Sequence, residues 1–293
     1  MISRPQASPA IRPLGRRLSR SVGRRTAGVR MLPDFLLVGA QRAGTTSLHR
    51  ALASHPAVVT PLFHKGVHYF DVEYARGLPW YQGHFPVRAL SRARTRGTRD
   101  GPRTFESSGY YMHHPHAALR IQRDLPGVQL VVMLRDPVER AYSAHRHEFA
   151  RGFECEKSFE RALELEGERL DGQVAKMLAD PSYVSFSHRH HSYVDRGQYV
   201  EQIGRLFDMF DRSRVHVLDS EAFFEHPHRE FDRLLAFLGL SAWTPPSFDQ
   251  HNAAPRERLH ATTRDRLNKH FAPYDDALTQ LLGRPLSWRS RTR

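Results

Sequence analysis

The sequence predicts an α/β fold: a P-loop-like central parallel β-sheet flanked by helices on both faces. Three observations carry that expectation. Two short apolar runs, residues 35–38 (Phe-Leu-Leu-Val) and 129–134 (Gln-Leu-Val-Val-Met-Leu), are bounded as sharply as buried strands and pass directly towards helical patterns. The first does so through a glycine loop, Gly39-Ala-Gln-Arg-Ala-Gly44, the strand–loop–helix geometry that cradles anions. Further along, short strand patterns alternate with helical ones without any internal repeat, which indicates parallel strands covered on both faces.

A length of 293 residues with 40% hydrophobic content suits one substantial core, and no apolar run approaches the length of a membrane span, so a soluble protein is expected. The single cysteine, Cys155, excludes an intrachain disulfide framework and suits a reducing, cytoplasmic setting. The net charge of +13 is unevenly placed. Residues 1–30 hold eight arginines and no acid, which leaves 36 basic against 31 acidic residues, or +5, for the remainder. The globular part is thus mildly basic, which fits an anionic ligand without demanding nucleic acid. Residues 1–31 read as a basic tail, 32–288 as a single domain and 289–293 as a short C-terminal tail. The basic tail is open to three readings: disorder, a transit-like segment, or sequence upstream of a start at Met31. No apolar stretch follows Arg16-Arg17 or Arg24-Arg25, which argues against a twin-arginine export signal.

The elements follow in order. After the first strand and loop, a helix begins near Leu48. Residues 54–60 suggest a turn and a second short strand, and residues 64–71 lead into an aromatic loop with Trp80, Tyr81 and Phe85. Residues 88–103, rich in Arg and Gly, read as a surface loop. Residues 104–111 suggest a strand that ends in a functional loop, and 115–124 a helix with Pro115 in its first turn. The run 129–134 is the clearest buried strand, and Pro137 suits the start of a helix reaching about residue 149. Helical spacing recurs at 158–177, 199–210, 229–238 (ended by Gly239), 256–270 and 274–282, with a strand at 215–218 and a Ser- and His-rich loop at 180–192.

Two strand ends carry the chemistry, because ligands of parallel sheets sit at the carboxyl ends of the strands. The glycine loop has nearly the spacing of an NTP-binding P-loop, but Thr45 stands where that motif has its lysine and the basic residue, Arg42, lies inside the loop. Thr45, Thr46 and Ser47 add hydroxyls at the helix start. The bland alternative is an ordinary β-turn-α connection. At the second strand end, Arg135 and Ser143 bracket a strand-to-helix turn and are able to converge on one phosphate. Pairing of Arg135 with Asp136 or Glu139 is the bland alternative there.

Taken together, the two stretches resemble the PAPS-dependent sulfotransferases. Phe35-Leu-Leu-Val-Gly-Ala-Gln-Arg-Ala-Gly-Thr-Thr-Ser-Leu48 looks like their 5′-phosphosulfate loop, and Val131-Val-Met-Leu-Arg-Asp-Pro-Val-Glu-Arg-Ala-Tyr-Ser143 like their 3′-phosphate motif. Val67-His-Tyr-Phe-Asp71, Gly77-Leu-Pro-Trp-Tyr81 and Tyr193-Val-Asp-Arg-Gly-Gln-Tyr199 extend the likeness towards the heparan sulfate glucosaminyl sulfotransferases and their bacterial relatives, over roughly residues 32–285.

The resemblance implies PAPS as co-substrate and an acceptor hydroxyl on a carbohydrate or another hydroxylated metabolite. It implies that Arg42, with Gln41 beside it, takes the place of the family's loop lysine. The amides of Ala43, Gly44, Thr45 and Thr46 and the hydroxyls of Thr45, Thr46 and Ser47 would hold the phosphosulfate, and Arg135 and Ser143 the 3′-phosphate. Arg256 falls in the loop that closes over the nucleotide, although the family's usual Lys-Gly pair is not evident. The glucosaminyl enzymes carry a glutamate regarded as base where this chain has Gly66, so His68 becomes the first candidate base. Asp71 would orient it or bind acceptor, and Glu106 is the alternative base. The scheme requires no metal, and His188, His190 and His191 read as an exposed loop rather than a metal site. Trp80, Tyr81, Tyr110 and Tyr111 would offer stacking surfaces or belong to the core. Competing functions are a P-loop kinase or NTPase, which the missing loop lysine disfavours, and a non-enzymatic protein binding anions or nucleic acid through its arginine tail.

Overall fold

The computed structural model describes residues 23–61, 65–248 and 259–289. Four strands, β1 (Phe35–Gly39), β2 (Phe105–Ser107), β3 (Gln129–Leu134) and β4 (Val215–Asp219), form one sheet in the order β2-β1-β3-β4, each neighbour parallel. Every residue of β1 and all but the first of β3 are buried. Since successive side chains point to opposite faces, both faces of the sheet are covered, and this is why these strands read as unbroken apolar runs. The register of β1 on β3 shifts between Leu37 and Gly39, at the mouth of the glycine loop.

The helices are α1 (Thr45–Ala53), α2 (Leu78–Gln82), α3 (Arg88–Arg94), α4 (Ala117–Asp124), α5 (Pro137–Ala150), α6 (Phe159–Leu170), α7 (Gln173–Ala179), α8 (Phe186–His190), α9 (Tyr199–Met209), α10 (Ser220–Glu225), α11 (Pro227–Leu238) and α12 (Ala261–Leu282). The main core joins the sheet to α1, α4, α9 and α11 through residues such as Leu37, Leu48, Ile121, Ile203 and Leu234. A smaller core of Val138, Ala141, Phe159, Tyr193 and Phe271 holds α5, α6 and α12 together.

Several expectations are corrected. Residues 54–60 form no strand; Val58 makes a single parallel bridge to Arg103, and Pro56 and Pro61 supply no N–H to extend it. Part of 88–103 is helical. The helix expected over 158–177 breaks at Gly172, whose φ of +64° is the left-handed conformation glycine adopts readily. The two helices expected near the C-terminus are one: α12 runs through Pro273, because Leu267, Phe271, Asp275 and Leu278 form a buried stripe whose packing outweighs the lost hydrogen bond. Residues 23–31 belong to the folded unit and not to the tail. Arg30 is buried, donating to the Phe85 carbonyl (2.7 Å) and the Thr26 hydroxyl (2.8 Å), and its own carbonyl accepts from Gln82 and Arg88. Gly23 and Gly83 cross so closely that a Cβ on Gly23 would lie 2.6 Å from the Gly83 oxygen.

Candidate active site

The glycine loop is built around close approach. A Cβ at Gly39 would fall 2.9 Å from Met112 Cβ, and Gly44, at φ +94°, leaves 3.0 Å between such an atom and the Phe224 ring. Helix α1 starts without a side-chain cap, so its first N–H groups have no partner within the helix and point their partial positive charge at the loop. Of the four amides expected to bind anion, Ala43 N–H is taken by the Ala40 carbonyl (3.2 Å), which leaves Gly44, Thr45 and Thr46. Ser47 is buried and does not line the cavity described below. Arg42 stands at φ +72° and sends Nε to Ser143 Oγ (3.1 Å) and Nη1 to His147 Nδ1 (3.4 Å). Gln41 bridges Glu148 (3.2 Å) and Arg196.

The second motif abuts the first. Asp136 caps α5 by accepting from Val138 N (2.8 Å) and Glu139 N (3.3 Å), with Pro137 at the first position. Ser143 is thereby turned towards Arg42. Arg135 donates to the Arg42 carbonyl (3.2 Å) and pairs with Glu139 (3.4 Å), which ties the second motif to the glycine loop, and its side chain does not line the cavity described below. Arg256 and the loop around it lie outside the described residues.

On the opposite wall stands His68, the other non-glycine residue with a left-handed backbone among those described (φ +58°). Its Nδ1 donates to Asp71 Oδ2 at 2.8 Å, since a carboxylate only accepts, and this leaves Nε2 with a lone pair. Burial pulls the imidazole pKa down, but the hydrogen bond and charge of Asp71 outweigh it and the net shift is upward. Asp71 is buried and orients His68; it does not reach the cavity. Glu106 is fully buried and receives four hydrogen bonds, from Val67 N (2.5 Å), Ser108 Oγ (3.1 Å), Tyr81 Oη (3.1 Å) and Tyr111 Oη (2.6 Å). It therefore anchors the His68 loop, and neither of its oxygens lines the cavity described below. Gly66 has no room for a side chain: its Cβ would meet the Ser107 oxygen at 2.5 Å.

These pieces surround a cavity of about 560 Å³, lined by Gln41, Arg42, Thr45, Thr46, His68 and Ser143 among the residues expected from sequence. Among the described residues its lining carries Arg42, Lys65, Arg146, Arg151, Arg189 and Arg196 and no carboxylate. Lys65 reaches the Thr45 and Thr46 hydroxyls (3.3 and 3.1 Å), and burial together with the charges of Arg42 and Arg50 lowers its pKa to about 8. Arg196 is buried against the Tyr110 ring and donates to the carbonyls of His188 and Arg189, and burial first, then the charge of Arg140, lowers its pKa to about 10.

Such a cavity, at the carboxyl ends of β1 and β3, is built for a ligand with several negative charges. A family model described as a sulfotransferase domain matches residues 32–263. This chain belongs to the sulfotransferase family. It is 22% identical to the membrane-associated sulfotransferase kil1 of Dictyostelium discoideum, over 88% of this chain and 67% of that protein. It is 23% identical to heparan sulfate glucosamine 3-O-sulfotransferase 5 of Mus musculus, over 89% of this chain and 75% of that one. A solved sulfotransferase from Alicyclobacillus acidocaldarius superposes with a TM-score of 0.66 at 28% identity, covering 88% of this chain and 99% of its own.

Sequence reasoning missed several residues of this sulfotransferase site. Arg146, His147 and Ala150 follow Ser143 at i+3, i+4 and i+7, a helical stripe that was there to be read. Lys65 stands next to the segment carrying His68. The loop 180–192 reads as exposed from its composition, yet His188 is buried, shares a hydrogen bond with Tyr110 Oη at 2.7 Å and stacks on His113 at 4.2 Å. His113, His188 and Asp195 bring three possible metal-ligand atoms within 4.8 Å of one another. Burial, His188 and the arginines at 196, 205 and 140 hold His113 well below its usual pKa, and the same positive field opposes a cation. Trp80, Tyr81 and Tyr111 are core, whereas Tyr110 lines the cavity.

Proposed function

We propose that this sulfotransferase moves the sulfuryl group of PAPS to an acceptor hydroxyl, with His68 as base. The observation that carries the reading is the contact between the two anion motifs, Arg135 to the Arg42 carbonyl and Arg42 to Ser143, on a cavity wide enough for a nucleotide whose charged lining, among the described residues, is basic. PAPS brings anions at both ends of its adenosine and an activated sulfuryl group. In this reading the amides of Gly44, Thr45 and Thr46 and the threonine hydroxyls hold the phosphosulfate, and Ser143 with the α5 face holds the 3′-phosphate.

His68 Nε2 takes the acceptor proton as the acceptor oxygen bonds to sulfur and the bond from sulfur to the phosphate oxygen breaks. Arg42 and Lys65 meet the charge left on that oxygen and on the sulfuryl group. The products are a sulfate ester and 3′-phosphoadenosine 5′-phosphate, PAP. The likeness to an enzyme named for heparan sulfate glucosamine supports a carbohydrate-bearing acceptor. In the test, Arg42→Ala and Lys65→Ala are each assayed with labelled PAPS. Transfer should fall by roughly 100-fold or more, while PAP affinity by calorimetry falls far less. Turnover like that of the unaltered protein in both variants would defeat the reading.

A further inference from the structure

Five of the nine large hydrophobic side chains that are exposed among the described residues fall within residues 174–186: Val174, Leu178 (56% exposed), Tyr183, Val184 and Phe186 (51%). Concentrated exposure of this kind marks a surface that something covers. Val174 and Leu178 lie one turn apart on α7 and share a face. Tyr183 Oη and Ser185 Oγ both donate to Gln173 Oε1, at 2.9 and 2.7 Å, which folds the connection back beside the first turn of α7. The result is one apolar shelf.

The shelf runs into the site. Phe186 opens α8, and its ring lies 4.7 Å from that of His190, which lines the cavity. Arg189, also in the cavity wall, is near enough for its charge to act on His68. From the other side, Arg120 donates to the carbonyls of Phe70 (3.0 Å), Asp71 (2.9 Å) and Pro181 (2.8 Å), pinning the connection between α7 and α8 to the loop that carries the base.

We propose that this shelf seats the apolar body of an amphiphilic acceptor, whose hydroxyl-bearing polar end enters the cavity at His68. The inference rests on the sulfotransfer reading and names its acceptor class: an alcohol or glycan joined to an alkyl or similarly apolar group. Continuity with the cavity selects this occupant, because an apolar surface whose last ring, Phe186, packs against the cavity-lining His190 is placed for what enters that cavity.

The test measures binding of octyl β-glucoside, below its aggregation concentration, and of methyl β-glucoside to the full chain, to the double variant Val184→Ser/Phe186→Ser and to Leu178→Ser. All three residues are exposed, so the variants should fold. The octyl compound should bind about 10-fold more tightly or better, and the double variant should lose most of that preference. Equal binding of the two glucosides, or a preference that survives in the variants, overturns the proposal. So does a dimer that the double variant abolishes, or binding to phosphatidylcholine vesicles without a glucoside preference; these assign the shelf to a second copy or to a bilayer. PAP affinity in the same samples reports on the donor site separately. Loss of PAP binding with the octyl preference intact counts against sulfotransfer and not against the shelf.

Discussion

His68 and Asp71 show how one hydrogen bond sets both direction and acidity. The bond to Nδ1 fixes the tautomer and aims Nε2 at the cavity, and the same carboxylate raises the imidazole pKa above its ordinary 6.5. A base must be neutral to accept a proton, so the acid limb of the rate profile should turn over above that value. In Asp71→Asn the raising influence is gone while burial remains, and the turning point should move to lower pH. The maximal rate should fall at the same time, on the order of 100-fold, because the amide no longer enforces the tautomer. A profile of kcat/KM against pH checks both; an unmoved inflection would mean that another group is the base.

The loop bearing His68 is held as a unit by Glu106, and Gly66 is the point where that loop presses on β2. Restoring a glutamate at 66 cannot restore a base here, since its Cβ would first have to displace the Ser107 carbonyl. Gly66→Ala should already lower stability by about 1–3 kcal/mol, and Gly66→Glu should lose activity along with stability, both visible in thermal melts. Elements also mark how far sequence reading reached. The strands β1 and β3, the helix start at Pro137, and the glycine loop were legible because local chemistry dictates them: continuous burial, a missing N–H, a backbone that tolerates no Cβ. For Arg135 the pairing with Glu139 was open in the sequence, but its bond to the Arg42 carbonyl, 93 residues away, was not. Lys65, Arg189 and Arg196 come from segments that only tertiary packing brings to α5, and no spacing links them to it, whereas Arg151, at i+8 from Ser143, continues its stripe.

For the whole molecule, the segment 23–31 is a strap across α2, anchored by Arg30 and by the crossing of two glycines. Its removal can be measured by comparing chains that lack residues 1–22 and 1–30. The longer deletion should melt several degrees below the shorter, given about 2–4 °C per kcal/mol for a domain of this size and the loss of buried hydrogen bonds; equal melting would show the strap to be idle. The absence of any carboxylate from the cavity lining, among the described residues, bears on what happens after chemistry. Transfer leaves the nucleotide as negatively charged as before and adds a sulfate ester, the acceptor proton having gone to His68, so the walls grip the spent nucleotide and the sulfated product at least as firmly as they drew in the reactants. Departure then depends on small anions from bulk solvent competing for the same arginines. Added chloride between about 0.05 and 0.2 M should therefore raise kcat even as it raises KM for the donor, an opposition that steady-state assays at graded ionic strength will detect and that a decline of both kcat and affinity would refute.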